Sequence, residues 1–480
     1  MASAEAGPSR VRVIALFGAV LALSSIGAST IGAVAPQLEH ALHIGNTKIG
    51  LLSSVSLLVG ALFVLPVGLL VDRYKRIPLL SASVVLWTVA SASSAFAGSY
   101  DALLLTRLAL GAVTATAGPA IASLTGDCFP ARERGRVYSY ILAGEVAGTA
   151  AGFIIGGSLA SLVSWRAAFL LLALPGVVVA WLLWRTVPEP LRGGQSRLDT
   201  VDDQDEGEGA DPAGLAHEVA RRKGVDPDPR LVLRQNPDRI GLVRAIGYTL
   251  SIPSNRSLIV GSALGYFFLS GLQTFAVLFV RGHYRSSQAT AELVLALLVV
   301  GAVVGTLVGG RVTDALLRRG ALGSRVYVPA LCYLVAAGLL VPGLISSKLL
   351  PAIWFDVGGA ALLSGANPGL DAARLDIMPA QLWGRAESVR SFLRSLAQAV
   401  APLAFGGVSD LIAGIAPAQV PVGTHAGVIS ASEARGLEIT FLIMLLALLA
   451  GALVLFRARK RYPRDVATAA ASQQAAAQAA

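Results

Sequence analysis

A stretch of this chain around residues 107–136 aligns without gaps to a second stretch 249 residues further on. Gly118-Pro119, Asp127, Pro130 and Gly135-Arg136 in the first copy correspond to Asn367-Pro368, Asp376, Pro379 and Gly384-Arg385 in the second. The Pro, Asp and Gly-Arg positions are identical, and most of the intervening residues are apolar in both copies. The same offset pairs Arg107 with Asp356 and Glu145 with Arg394, so charge has inverted at two positions inside apolar sequence. A duplicated half embedded in hydrophobic sequence restricts the fold to two related helical bundles in a membrane.

Only 14% of the residues are charged and 54% are hydrophobic, whereas a soluble domain carries about 25% charged residues. A membrane-spanning helix needs roughly 20 mostly apolar residues. Twelve such runs are expected: 12–35, 49–71, 78–98, 102–125, 138–160, 167–187, 257–280, 288–310, 325–346, 350–370, 388–409 and 437–456. The net charge of +10 does not indicate nucleic acid, because of where the 39 Lys and Arg fall. Lys48, Arg166, Arg281, Arg285, Lys348 and Arg435 lie on one side, and Arg107 and Arg394 lie within spans. The remainder flank the spans on the other side, which the positive-inside rule makes cytoplasmic. Both termini are expected there, in the plasma (bacterial inner) membrane. Arg10 and Arg12 before the first run, with Ala33-Val34-Ala35 near its end, resemble a signal peptide. The run is too long for one, and an uncleaved first span is expected.

The divisions that follow are a first bundle (1–187), a linker (188–255), a second bundle (256–456) and a tail (457–480). The first part of the linker, from Asp199 to Asp211, is acidic and polar enough to be disordered. Val243, Ile246 and Leu250 recur at three- and four-residue steps and predict a short amphipathic surface helix. The 410–436 connection is apolar but broken by Pro417 and Pro421, and the Ala/Gln-rich tail beyond Asp465 is expected to be unstructured. Cys128 and Cys332 suggest neither a disulfide nor a metal site, and the five histidines fall in loops. No cofactor and no metal are expected.

After the second span comes Gly68-Leu69-Leu70-Val71-Asp72-Arg73-Tyr74-Lys75-Arg76, and after the eighth comes Gly310-Arg311-Val312-Thr313-Asp314 with Arg318 beyond. In both copies Asp follows Gly by four residues and Arg follows Asp by four. Glycine permits close helix approach, and the acid can receive a helix N-terminus or an arginine. Gly68, Asp72, Arg73, Arg76, Gly310, Asp314 and Arg318 are therefore expected to form a cytoplasmic gate latch.

Here the chain, over residues 12–456, resembles the major facilitator superfamily, whose loop motif reads G-x-L-A-D-R-x-G-R-[RK]. Gly68, Leu70, Asp72, Arg73 and Arg76 match it, while Val71, Lys75 and Ile77 depart. Arg107 and Gly111 match that family's fourth-span R-x-x-x-G. Gly148, Gly152, Gly156 and Gly157 match its fifth-span motif, but Phe153 replaces the Pro associated with antiporters. The segments 129–157, 187–193 and 278–284 look most like spinster-like members, which handle lysophospholipids and sphingoid lipids. Val113 stands where that group carries an acid.

The resemblance implies an all-α fold of twelve transmembrane helices in two six-helix bundles. It also implies secondary transport of a small-molecule or lipid substrate, probed here against two other classes. A lipid enzyme needs a nucleophile with a paired base, and Ser24, Ser25, Ser53 and Ser54 lack one. No phosphate-binding loop for ATP is present. A permanently open channel does not need a repeated gate motif. Gly144, Gly148, Gly152 and Gly156, with Gly301, Gly305 and Gly309, form four-residue rows; in the family fold, spans five and eight meet across the bundles, so a sliding contact is expected. A charge at mid-membrane costs about 2.5–3.5 kcal/mol. Arg107, Glu145, Asp356 and Arg394 either form two ion pairs, Arg107–Glu145 and Asp356–Arg394, or line a substrate and proton pathway. Protons, the bilayer and a monomeric state complete the expectation, with no nucleic acid.

Overall fold

The computed structural model describes residues 10–129, 131–190, 214–233, 242–379, 382–414 and 430–478. Most of those residues are helical, and none of them is in a strand. Twelve helices are long and apolar enough to cross a membrane. In order they are Arg10–Leu42, Asn46–Val64, Arg76–Phe96, Tyr100–Thr125, Tyr140–Leu162, Trp165–Thr186, Pro253–His283, Gln288–Arg318, Ser324–Ile345, Leu349–Asp376, Val389–Ala413 and Ala431–Ala458, and they are called spans one to twelve below. A backbone in hydrocarbon must satisfy its own polar groups, and a helix does so within one segment. The side flanking the start of span one and the end of span twelve is termed the basic side.

The fourth span is two helices, Tyr100–Thr114 and Ala117–Cys128. Pro119 offers no N–H to the carbonyl four residues back and crowds it, which breaks the ladder at 115–116. The repeat-related Pro368 sits inside a continuous helix, Leu349–Asp376. Serines begin two of the helices: the Ser99 hydroxyl accepts the Ala102 amide at 3.2 Å, and Ser164 accepts Ala167 at 3.1 Å.

Close packing in each half runs through the glycine rows. A Cβ on Gly144 would lie 2.2 Å from the Gly18 carbonyl oxygen, and one on Gly148 would lie 2.2 Å from that of Ala22. Gly152 faces Ser29 of the same helix. In the second half, Gly301, Gly305 and Gly309 meet Val357, Ala361 and Gly365, with a Cβ on Gly305 only 1.8 Å from the Ala361 carbonyl. Within each half the rows thus close on spans one and ten. Four-residue spacing fixes which face is small but leaves its partner open. Gly156 meets Leu172 and Thr30.

Contacts group the chain into two compact units that cut across the sequence halves. The first takes Met1–Glu208, Leu272–Ala296 and Ala399–Leu437; the second takes Gly209–Gly271, Leu297–Gln398 and Glu438–Ala480. In the second unit, helices at Gly214–Arg222 and Leu242–Ser251 interrupt the linker. The latter matches the amphipathic helix expected at 240–250. The acidic stretch from Asp199 to Asp211 and the prolines at 417 and 421 lie outside the described residues.

The tail is a correction. Residues Tyr462–Gln478 form a helix, where low complexity had suggested no structure. Alanine has the highest helix propensity, and Tyr462, Val466, Ala469 and Ser472 make a buried stripe at helical spacing. Asp465 accepts the Ser254 amide at the start of span seven at 3.0 Å. Thr468 and Ser472 hydroxyls accept the amides of Asp228 and Leu233 at 2.8 and 3.0 Å.

Leucine at Gly148 or Gly305 must push a neighbouring backbone aside. Gly148→Leu and Gly305→Leu are each expected to destabilise the purified protein by about 1–3 kcal/mol. Gly118→Ala and Gly338→Ala, which face open space, should melt within about 0.5 kcal/mol of wild type. Thermal unfolding followed by tryptophan fluorescence checks this, and leucine tolerated at both packed positions would refute the backbone contacts.

Candidate functional site

The four charges expected inside the spans occupy two kinds of place. Arg107 is 1% exposed, donates from Nη2 to the Ser94 hydroxyl and lies over the Phe169 ring at 4.8 Å. Its Nε and Nη1 have no hydrogen-bond partner among the described residues. Asp356 lies against Gly343, where a Cβ would be 2.1 Å from its Oδ1. Ser94 and Gly343 are themselves repeat-related, so the structure preserves the duplication and inverts the charge it holds. Removing the serine side chain in the second half makes room for the carboxylate.

Arg394 on span eleven stacks over Tyr266 of span seven at 4.8 Å. Beside it, Asp371 and Arg390 pair at 2.6 Å, with Arg374 in electrostatic reach of all three. Glu145 is exposed on span five, and its backbone carbonyl accepts the Thr149 hydroxyl at 3.0 Å. Neither Arg107 nor Arg394 makes an ion pair among the described residues. The expected pairs Arg107–Glu145 and Asp356–Arg394 give way to aromatic and hydroxyl contacts, which shield a cation without a buried carboxylate.

The loop motifs resolve into two buried clusters on the basic side. Arg76, 1% exposed, pairs with Asp127 and donates to Glu189 Oε1 at 3.0 Å, Ser123 Oγ at 2.9 Å and the Pro190 carbonyl at 3.0 Å. The Ile77 amide donates to Glu189 Oε2 at 2.7 Å. Burial opposes ionisation of Glu189. Hydrogen bonds from the Ile77 and Arg76 backbone and the Arg76 guanidinium outweigh it and hold the carboxyl below the usual range. In the second half Arg325 pairs with Asp376 and reaches Asp314 at 3.6 Å. The Tyr462 hydroxyl and the His217 ring meet Asp376 at its carboxylate and its backbone carbonyl.

Arg325 corrects the expectation for Arg318, which is exposed. The loop spacing points to Arg318, but the 249-residue offset carries Arg76 to Arg325 and Asp127 to Asp376. Arg76 and Arg325 both stand at the start of their helices, and the second loop is longer because its preceding helix runs on to Arg318. Asp314 thus engages an arginine of its own half. Arg73 is exposed and Gly310 lies beside Pro368. For Gly68 and Asp72 the structure describes the helical backbone alone.

Sequence reasoning missed a seam on the opposite side, inside the first unit. Asp410 of span eleven, 2% exposed, accepts the amides of Asn46 and Thr47 at 3.1 and 2.8 Å and the Thr47 hydroxyl at 2.6 Å. It caps span two, whose own N-cap, Gly45, supplies no side chain. A Cβ on Gly50 would lie 2.1 Å from the Pro402 carbonyl. Spans five and eight meet here too: the Ser158 hydroxyl donates to Glu292 Oε2 at 2.6 Å, and Gly157 makes room for the other oxygen. Gln288 donates to the Ala33 carbonyl at 3.2 Å. An uncapped helix start at Asn46 and lone acids near helix ends were the available signals. No group of three metal-ligating side chains occurs among the described residues.

A sequence profile described as Major Facilitator Superfamily matches residues 17–402. The chain belongs to the major facilitator superfamily. Among solved structures, a bacterial homolog of the human lysosomal transporter spinster, in an inward-facing and occupied conformation, superposes with a TM-score of 0.77. The match covers 96% of this chain and 99% of that one at 20% identity, a likeness of fold. The uncharacterized transporter YybO of Bacillus subtilis is 28% identical over 39% of this chain and 43% of its own length. Human protein spinster homolog 1 is 28% identical over 38% and 36%, and the 4-hydroxybenzoate transporter PcaK of Pseudomonas aeruginosa is 28% identical over 38% and 41%. The aligned region therefore spans less than half of each of these relatives.

Breaking a buried ion pair by removing one partner costs about 3–5 kcal/mol. Arg76→Met and Arg325→Met in this superfamily member are expected to lose that much, with Arg76→Met partly rescued by adding Asp127→Leu. Because the Glu189 carboxyl is held low, its contribution is complete above the usual glutamate value near pH 4.3 and is lost as pH falls through the folded-state value. Glu189→Gln should flatten that acid limb of thermal stability. An unchanged limb would remove Glu189 from the cluster's energetics.

Proposed function

We propose that the chain is a secondary active transporter that moves a small organic or amphiphilic anion by alternating access, with protons as the coupling ion. The observation that carries this is the charge-inverted repeat: Arg107 and Asp356 occupy equivalent places in two halves of one fold. A charge inside a membrane is retained for function because it is costly. Two halves that share a frame and differ in charge can respond differently to the same ion.

Arg394 is the anion-binding group of this reading. Its planar fork, stacked on Tyr266, suits a phosphate or carboxylate and stays charged throughout. Glu145, exposed on span five, is the proton carrier of this reading: an arginine that approaches its carboxylate during the cycle favours the anion and releases the proton. One relative is named for 4-hydroxybenzoate and others are spinster homologs; an amphiphile with an anionic group, such as a lysolipid, fits both. Asp72 and Asp314 latch the basic side when the opposite side opens. The excess of basic residues supports a cytoplasmic location for that side and for both flanks of the span series, in the plasma membrane of a bacterial cell. A monomer suffices for this cycle. Efflux of drugs or metabolites is the runner-up for the same fold.

The test is uptake into proteoliposomes without ATP under an imposed pH gradient. Glu145→Gln is expected to abolish gradient-driven accumulation and retain exchange. Arg394→Ala should weaken binding of anionic substrates about tenfold or more, the worth of a charge-assisted hydrogen bond, and leave neutral ones nearly unchanged. Equal accumulation by wild type and Glu145→Gln would exclude Glu145 as the carrier. Normal transport in Asp72→Asn and Asp314→Asn, singly and together, would remove the latch.

A further inference from the structure

A guanidinium offers five N–H donors and keeps its charge throughout the physiological pH range. Arg107 lies seven residues into the helix that starts at Tyr100, roughly 10 Å along it at the helical rise, and it is 1% exposed. The Ser94 hydroxyl accepts from its Nη2, and the Phe169 ring covers the guanidinium at 4.8 Å. Nε and Nη1, which carry three of the five N–H groups, are buried with no acceptor among the described residues. Among those residues no acid lies within electrostatic reach of the cation.

The groups around Arg107 do not meet its charge. Ser94 Oγ donates to the Ala90 carbonyl at 3.2 Å and lies 2.9 Å from Thr106 Oγ1, and Thr106 donates to the Leu103 carbonyl at 2.7 Å. These hydroxyls are neutral and already engaged. A ring face attracts a cation without neutralising it. By contrast, the buried Arg76, Arg325 and Arg390 each meet a carboxylate. In the duplicated frame Asp356 takes the place of Arg107 and Gly343 that of Ser94, so the second half carries a negative charge of its own at the equivalent place.

We propose that the first half takes its negative charge from solution: a small monovalent anion, chloride, binds Arg107 through Nε and Nη1. A charge removed from water is tolerated when an opposite charge and hydrogen bonds meet it, and the anion supplies both in one ion. Water would accept the N–H groups but leave the charge. An exposure of 1% admits an ion of one or a few atoms and excludes an organic substrate. Ser94, Arg107 and Phe169 all belong to the first unit. The site is therefore separate from Arg394, and it binds its ion whether or not the chain completes a transport cycle.

The test is scanning calorimetry of the full chain in detergent, with gluconate replaced stepwise by chloride at constant ionic strength. Above its Kd, chloride should raise Tm with the logarithm of its concentration, by roughly 1–3 °C per tenfold. Arg107→Met is expected to abolish that dependence. Arg166→Gln is expected to keep it: Arg166 is an exposed cation whose Nη2 donates to the Ala97 carbonyl at 3.1 Å, three residues past Ser94. Ser94→Asp, which sets a carboxylate beside Arg107, should melt alike in gluconate and in chloride. In wild-type crystals soaked in bromide, an anomalous peak is expected within hydrogen-bond distance of Arg107 Nε or Nη1. A wild-type Tm that ignores chloride or changes linearly with it would overturn the site. So would a dependence kept by Arg107→Met or Ser94→Asp, its loss in Arg166→Gln, or bromide ordered only away from Arg107.

Discussion

An arginine buried with a carboxylate 51 residues away anchors the basic end of each half: Arg76 with Asp127, and Arg325 with Asp376. A guanidinium in low dielectric must be met by charge and by acceptors for its remaining N–H groups, or its cost is several kcal/mol. Meeting that demand draws other segments in. The chain leaving span six supplies Glu189 and the Pro190 carbonyl to Arg76. In the second half the C-terminal helix supplies Tyr462 and the linker supplies His217 to the residue that Arg325 holds. One ion pair per half thus fixes the third and fourth helices of that half and recruits whatever segment follows its last span.

The twelve spans and the duplication were legible because hydrophobic length and repeat offset are written directly in the residues. The partner of a face is not. The glycine rows at Gly148 and Gly305 announced close approach by their spacing, yet which helix approached depends on tertiary packing. The local Gly/Asp/Arg spacing in the loop points to Arg318. The helix register, which the longer offset tracks, decides which arginine is buried. Alanine-rich sequence in the tail looked featureless, while its Tyr462, Asp465, Thr468 and Ser472 already carried three- and four-residue spacing. Asp410 went unnoticed because a cap supplied from 364 residues away leaves only an uncapped helix start at Asn46 as its local trace.

The polar clusters within the units differ in kind. On the basic side, each buried arginine joins segments within a half through an ion pair and further hydrogen bonds. On the opposite side, Asp410 ties span two to span eleven, while Glu292 and Gln288 tie spans five and one to span eight. The first arrangement suits a rigid body and the second suits a contact that is made and broken. Arg107 and Asp356 hold opposite charges in equivalent frames of the two halves, an asymmetry that packing alone does not require.

The central claim is that this superfamily member is a carrier, in which one substrate crosses per conformational cycle. Counterflow measures that most directly: proteoliposomes loaded with unlabelled lysolipid or an aromatic carboxylate are diluted into a trace of the labelled compound, without ATP. A carrier predicts transient accumulation of label above equilibrium and a saturable initial rate. Label that only equilibrates, at a rate linear in concentration and indifferent to the internal load, would contradict it.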